Sequence, residues 1–181
     1  MVAAVPPPAG RLVRLGVVVR GEPSAQSRLA RMCDLAGVDV LWVADEQDAV
    51  RLGRLVERAQ VLVLPAADES WARTVPVSIG RTPAEAAARA DMDPGLADYG
   101  DLLDAGLYGT IEAAQARVIA MAHAGVTDLR CALPDVPDVH DVVAQLTAVV
   151  VGTLDTHRPG APRSPDPPPP SWAARRRPHQ P

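Results

Sequence analysis

Short runs rich in β-branched residues alternate with amphipathic stretches between residues 11 and 155 of the 181-residue chain. The runs are residues 12–19, 38–44, 61–64, 75–79 and 127–133. Their mainly apolar character is typical of buried strands. Strands that alternate with helices form parallel sheets with right-handed crossovers, so the pattern predicts an α/β fold of about five strands.

Apolar residues at helical spacing predict five helices between and after these strands. The predicted helices are residues 23–36, 48–59, 83–90, 111–124 and 139–151. The third has the clearest start, because Thr82 can cap it, Pro83 fits its first position and Glu85 completes a capping box. A Gly- and Asp-rich loop is expected at residues 91–109.

One segment recurs along the chain. LAGVDVLWVA (residues 35–44) is repeated in outline as HAGVTDLRCA (residues 123–132). Each copy predicts the end of a helix, a glycine in a left-handed cap and then a buried strand. The same helix-to-strand unit is therefore expected twice.

Composition excludes several classes of function. A net charge of -4 and a pI near 5.5 give no electrostatic basis for nucleic-acid binding. No window approaches the roughly 20 apolar residues that cross a bilayer. The two cysteines, Cys33 and Cys131, lie apart in apolar segments and suit a reduced cytoplasmic protein. No Cys and His spacing indicates a metal site.

The two ends of the chain differ from its centre. Residues 1–10 are expected to be a flexible N-terminus without the features of a signal peptide. Residues 156–181 are rich in Pro and Arg and are expected to form a disordered tail. A ligand for a polyproline-binding groove is the alternative interpretation of this tail. The folded domain is thus assigned to residues 11–155.

Three segments resemble the luciferase-like monooxygenase family. AGVDVLWVAD (residues 36–45) is similar to the family's junction between its first helix and second strand. VPVSIGRTPAEAAARAD (75–91) resembles a late strand and its helix. GLYGTIEAAQARVIAMAHAGVTDLRCALPD (106–135) resembles the final helix and strand. Together these segments cover most of residues 11–152.

The resemblance implies a (β/α)8 barrel that binds FMN or a deazaflavin at the carboxyl ends of its strands. Such a barrel typically needs about 250 residues, and this chain offers far fewer. We therefore expect a shortened relative, built as a partial barrel or as an open sheet. An open, doubly wound domain of the flavodoxin type is the other interpretation, with its ligand at a topological switch point.

Candidate site residues follow the second and fourth predicted strands. Asp45 and Glu46 are candidates for catalysis, and the alternative is that they offset the dipole of the next helix. Weak candidates for binding the cofactor are Ser78, Gly80, Arg81 and Thr82. Backbone N–H groups and a guanidinium at this helix start could hold a phosphate, and a plain capped helix is the alternative.

Two functions are consistent with these observations. The first is a flavin- or deazaflavin-dependent oxidoreductase or monooxygenase that acts on a small organic substrate, with the cofactor supplying the redox chemistry. The second is a non-catalytic remnant or accessory subunit of that family. In that case exposed strand edges would demand a partner chain or a homo-oligomer.

Overall fold

The computed structural model describes residues 7, 11–68 and 70–156. The predictions of a flexible N-terminus and of a disordered Pro/Arg-rich tail fall on residues that, apart from Pro7 and Thr156, lie outside this description. Among the described residues, no helix has the length and apolar character of a membrane span.

Six strands and five α-helices make up the described part of the chain. The strands are β1 (Arg14–Val18), β2 (Val40–Val43), β3 (Gln60–Val63), β4 (Ala72–Ile79), β5 (Leu107–Gly109) and β6 (Asp128–Ala132). The helices are α1 (Pro23–Ala36), α2 (Glu46–Gly53), α3 (Pro83–Met92), α4 (Ile111–His123) and α5 (Val139–Thr156). A 3₁₀ helix (Pro94–Tyr99) follows α3.

The strands form one open, parallel sheet in the order β3-β2-β1-β6-β4-β5. The predicted α/β class and open parallel sheet are confirmed, with six strands where about five were expected. The additional strand is β5, which lies within the segment that was expected to be a loop. It is three residues long and flanked by Gly106, so it is too short to give a periodic signal.

Helix α2 is shorter than predicted, and a tertiary contact holds the residues that follow it. The prediction extended this helix to residue 59, whereas it ends at Gly53. The carboxylate of Asp34 accepts the N–H groups of Glu57, Arg58 and Ala59 at 3.1, 2.8 and 2.7 Å. These bonds hold the segment in an extended path toward β3.

The repeated segment supplies both neighbours of the central strand β1. Gly37 and Gly125 adopt positive φ angles of 82° and 93°, as the two helix ends require. The strands that follow, β2 and β6, pair in parallel with β1 on either side. Pairing of a first strand with a last one also closes a (β/α)8 barrel, but here β3 and β5 remain as separate edges.

The two faces of the sheet differ in chemistry. One face packs against α1, α4 and α5 through a core of aliphatic side chains and two cysteines, and this core includes Leu15, Leu129 and Leu146. On the other face, Arg14 and Asp128 form a buried ion pair across β1 and β6. A charged pair of this kind is uncommon in a protein interior, and each of the two buried charges depends on the other for its stabilisation.

Aromatic side chains complete the second face. The Arg130 guanidinium lies 4.5 Å from the ring centroid of Trp42 and 5.9 Å from that of Trp71. The Trp42 indole covers Gly16, where an added Cβ would lie 2.4 Å from the indole nitrogen. Leu96 of the 3₁₀ helix packs into the same cluster. The second face is therefore covered mainly by α3, the 3₁₀ helix and the segment between β3 and β4.

Candidate functional site

A cleft of about 910 Å³ lies where β1 and β6 end and α1 and α5 begin. Val18 lines it from the end of β1, and Leu133 lines it from the segment after β6. These two strands are parallel neighbours, so their carboxyl ends lie at the same edge of the sheet. In open α/β sheets the ligand occupies a crevice at this edge. The volume of the present cleft is typical of small-molecule sites.

The start of α1 presents backbone donors to the cleft. Gly21 adopts a φ angle of 90°, and Gly21, Glu22 and Ala25 all line the cleft. Pro23 occupies the first helical position, where no N–H donor is needed. The N-cap residue Glu22 makes no side-chain hydrogen bond to the helix. The first-turn N–H groups of Ser24 and Ala25 therefore depend on solvent or a ligand for a partner.

An ion pair between Arg20 and Asp93 fixes the loops beside the cleft. Arg20 also donates to the carbonyl of Leu133 at 2.8 Å, and Asp93 accepts the N–H of Asp135 at 2.8 Å. The Arg20 guanidinium lies 5.5 Å from the ring centroid of Tyr99. These contacts join the 3₁₀ helix to the ends of β1 and β6, so the chain itself holds the loops that border the cleft.

The walls of the cleft are mainly apolar. Leu29 and Met32 of α1 lie on one side, and Val136 and Val139 at the start of α5 lie on the other. Arg28 also lines the cleft, and it has no hydrogen bond or ion pair to any residue that the structure describes. An apolar lining with a few polar groups is typical of sites for small organic molecules.

Arg89 supports the wall that α5 contributes. Its buried guanidinium pairs with Asp138 just before α5 and with Glu85 in α3. It also donates to the carbonyl of Ile79 and to the side-chain oxygen of Gln145. The hydrogen bond from Arg89 holds the pKa of Asp138 below its usual value. This network joins β4, α3 and α5 at the edge of the sheet where the cleft opens.

Two of the predicted cofactor-binding residues are enclosed by α3. The hydroxyl of Ser78 is buried and donates to the carbonyl of Ala86 at 2.7 Å. At Gly80 an added Cβ would lie 2.7 Å from the nitrogen of Ala86 and 2.9 Å from Cβ of Glu85. The glycine therefore permits close packing of α3 on β4.

The other two predicted residues take part in the cap of α3. The hydroxyl of Thr82 accepts the N–H of Glu85 at 3.2 Å. The Glu85 carboxylate in turn accepts the N–H of Arg81 at 2.9 Å. The Thr82 bond is the half of a capping box expected from the sequence, whereas Glu85 bonds to the residue before the N-cap instead of to the N-cap itself. Neither Arg81 nor Thr82 lines the cleft, and their binding of a cofactor stays a prediction.

The predicted catalytic carboxylates also lie apart from the cleft. Asp45 is the N-cap of α2, and its side chain accepts the N–H of Asp48 at 2.8 Å. Glu46 is exposed in the first turn of the same helix. Both positions suit the dipole of α2. A catalytic role for either residue stays a prediction.

Sequence reasoning missed the residues that form the cleft. Arg20, Asp93 and Asp135 are far apart in the chain, and no local motif joins them. One signal was present, because the strand at 12–19 leads directly into Gly21 and the helix start at Pro23. That order of strand, glycine and helix start is the local pattern of sites that bind anions at a helix N-terminus.

The comparisons with known proteins give no assignment. The chain matches no protein-family model, and no curated protein matches it. In the part of the chain that the structure describes, no group of three or more His, Cys, Asp or Glu side chains could hold a metal ion. The cleft is therefore interpreted from its own geometry.

Proposed function

We propose that this protein binds a small organic molecule in the cleft between the carboxyl ends of β1 and β6, with an anionic group of the ligand at the start of α1. The observation that carries this proposal is the position of the cleft, at the edge of a parallel sheet where two helices begin. The Arg20–Asp93 ion pair holds its loops in place.

The anionic group is assigned to the start of α1 from its hydrogen-bonding needs. The N–H groups of Ser24 and Ala25 lack a capping side chain, and the helix dipole favours negative charge there. Arg28 lies three residues after Ala25, about one helical turn further on, and both residues line the cleft. Glu22 and Asp135 also line the cleft, so the remaining polar groups of the ligand are expected to be hydrogen-bond donors.

FMN or a deazaflavin is the particular ligand that we propose, in keeping with the luciferase-like resemblance. Each combines a flat ring system with a phosphate. The ring would lie between Leu29 and Met32 of α1 and Val136 of the opposite wall, and the phosphate would meet Arg28. A bound flavin supplies the hydride or electron transfer of an oxidoreductase. The chain binds and orients it and excludes water from the apolar walls.

A fluorescence titration tests this proposal. FMN and a deazaflavin are titrated separately with the purified protein, and quenching or a rise in anisotropy reports binding. Arg28→Gln is expected to weaken binding about tenfold, since a charge-assisted hydrogen bond contributes about 1.5–3 kcal/mol. Arg54→Gln is the matched control, because Arg54 is exposed and lies outside the cleft.

Two results would count against the proposal. Absence of binding at micromolar concentrations of both cofactors would remove the flavin assignment. Weakening by Arg81→Gln, with no effect of Arg28→Gln, would move the phosphate to the start of α3. Arg81 belongs to the predicted cofactor segment, so this variant separates the two locations directly.

A second candidate function is that of an accessory subunit that associates through its strand edges. The edge strand β3 is parallel to β2 on one side, and its Gln60 and Val63 are exposed. An open edge of this kind can pair with another chain. Val63→Lys would place a charge on the edge, and light scattering would then show loss of a dimer if β3 forms it.

We further propose that the protein acts in the cytoplasm. Cys33 and Cys131 are both free thiols buried in the aliphatic core. Burial raises the pKa of Cys33 to about 12, so its thiol stays neutral and unreactive at physiological pH. Unpaired buried cysteines are typical of proteins from reducing compartments.

A further inference from the structure

Two leucines are the most exposed large apolar side chains in the described part of the chain. Leu35 at the end of α1 is 81% exposed, and Leu103 in the loop before β5 is 73% exposed. Single exposed leucines are common on protein surfaces. These two differ from that norm because Leu35 shares a groove with arginines, whereas Leu103 lies between exposed aspartates, with Arg117 bonded to the backbone carbonyl of Asp104.

Leu35 borders a groove on the outer surface of α1. This α1 groove has a volume of about 580 Å³ and is lined by Ser24, Ser27, Arg28, Arg31, Met32, Leu35 and Leu55. Arg31 precedes Leu35 by one helical turn, so both side chains lie on the same face of the helix. The guanidinium of Arg31 is exposed and has no ion-pair partner among the described residues.

Leu103 projects from an acidic loop. This acidic loop comprises residues 98–104, in which Asp98, Asp101 and Asp104 are exposed. Asp101 accepts the N–H groups of Leu103 and Asp104 at 2.8 and 2.9 Å. The resulting turn fixes the leucine in its outward position. No arginine side chain pairs with the carboxylates of Asp98 or Asp104 within the described residues.

We propose that the α1 groove of one molecule binds the acidic loop of a second copy. Leu103 of one copy would enter the groove beside Leu35 of the other, and Arg31 would face Asp101 and Asp104. Complementary charge around an apolar centre is the arrangement that specific protein contacts use. A second copy is the occupant because this chain carries both complementary surfaces.

The contact joins two different surfaces and is therefore heterologous. The α1 groove follows β1, near one side of the sheet, and the acidic loop precedes the edge strand β5 on the other side. After two copies have made this contact, one copy still has a free loop and the other a free groove. Further copies can therefore join, and the assembly is a ring or an open chain. It uses a helix and a loop and is separate from the β3 edge. The groove shares Arg28 and Met32 with the wall of the cleft.

Charge reversal tests the proposal. Multi-angle light scattering and analytical ultracentrifugation of the full chain are expected to show self-association that rises with protein concentration and falls with salt. Arg31→Asp and Asp104→Arg are each expected to raise the dissociation constant at least about tenfold, because like charges then face each other. The double variant Arg31→Asp/Asp104→Arg reverses both partners and is expected to restore association.

Each outcome decides the proposal. Restoration by the double variant, or by mixing the two single variants, supports it and also shows that the variants fold. A monomer at every concentration would overturn it. Association that neither charge reversal alters would also overturn the proposal. If Val63→Lys then abolished the association, the contact would be assigned to the β3 edge. Arg54→Asp is the control for a general effect of net charge, since Arg54 directly follows α2, is exposed and does not line the groove.

Discussion

The starts of α1 and α3 lie at the same edge of the sheet but satisfy their first-turn N–H groups in different ways. At α3 the Thr82 hydroxyl accepts the first-turn N–H of Glu85, and the Glu85 carboxylate accepts the N–H of Arg81 just before the helix. At α1 the N-cap Glu22 makes no side-chain bond, and the helix opens onto the cleft. The stronger helix start in the sequence is therefore the self-contained one, and the weaker start faces the candidate ligand site.

Substitution of the buried Arg89 in α3 and of the exposed Arg28 in α1 should give the largest difference in stability between the two regions. Arg89→Met removes two ion pairs and leaves the carbonyl of Ile79 without that donor, so we expect a loss of about 3 kcal/mol in the free energy of unfolding. Arg28→Met should leave stability nearly unchanged, because Arg28 is exposed and unpaired among the described residues. Urea denaturation measures both, and equal losses would contradict the comparison.

The glycines before the two helices should also respond differently. Gly80→Ala is expected to cost about 2 kcal/mol, because the new Cβ would meet the backbone of α3. Gly21→Ala is expected to cost about 1 kcal/mol through its positive φ angle alone, since nothing lies within 4 Å. Thermal denaturation shows which variant loses more stability. A larger loss for Gly21→Ala than for Gly80→Ala would show that the loop before α1 is packed more tightly than the structure indicates.

Substitution of the two N-cap residues should give a smaller difference in stability. Thr82→Ala is expected to lower stability by about 1 kcal/mol, the usual cost of losing an N-cap hydroxyl. Glu22→Ala is expected to change it by less than about 0.5 kcal/mol, because only its interaction with the helix dipole is lost. Chemical denaturation of the two variants under one condition provides the measurement. A comparable loss in both would mean that Glu22 caps α1 in solution.

The smallest expected effect depends on pH. Arg89 lowers the pKa of Asp138 in the folded state, so this carboxylate adds stability above its unfolded pKa of about 4. That contribution is lost as pH falls through the lower, folded pKa. Asp138→Asn should therefore lose less stability on acidification than the unchanged protein, and denaturation curves between neutral and acidic pH check this. Identical acid sensitivity would remove Asp138 from the network that supports α5.

The sequence predicted the elements of the fold better than their arrangement. Helix α1 and the two strands after the repeated glycines were expected from local periodicity and from the caps at Gly37 and Gly125. The strand order was not expected. The position of β4 between β6 and β5 depends on contacts that no local pattern encodes. The charged second face was missed for the same reason, since Arg14 and Asp128 meet across the sheet.

The site was harder to predict than the fold. A local motif can identify Thr82 and Glu85, because they lie three residues apart and meet within one helical turn. The cleft instead joins Arg20, Asp93 and Asp135, which only the completed sheet brings together. The signal nearest to it, Gly21 before a helix start, is short and common in sequences.

Chemical-shift mapping of backbone amides tests the central claim most directly. The ¹⁵N-labelled protein is titrated with FMN, and shifts are expected at Gly21, Glu22 and Ala25 and at Val136 on the opposite wall, with little change at Arg81. Shifts confined to the turn before α3, or no shifts at millimolar FMN, would contradict a flavin site in the cleft between β1 and β6.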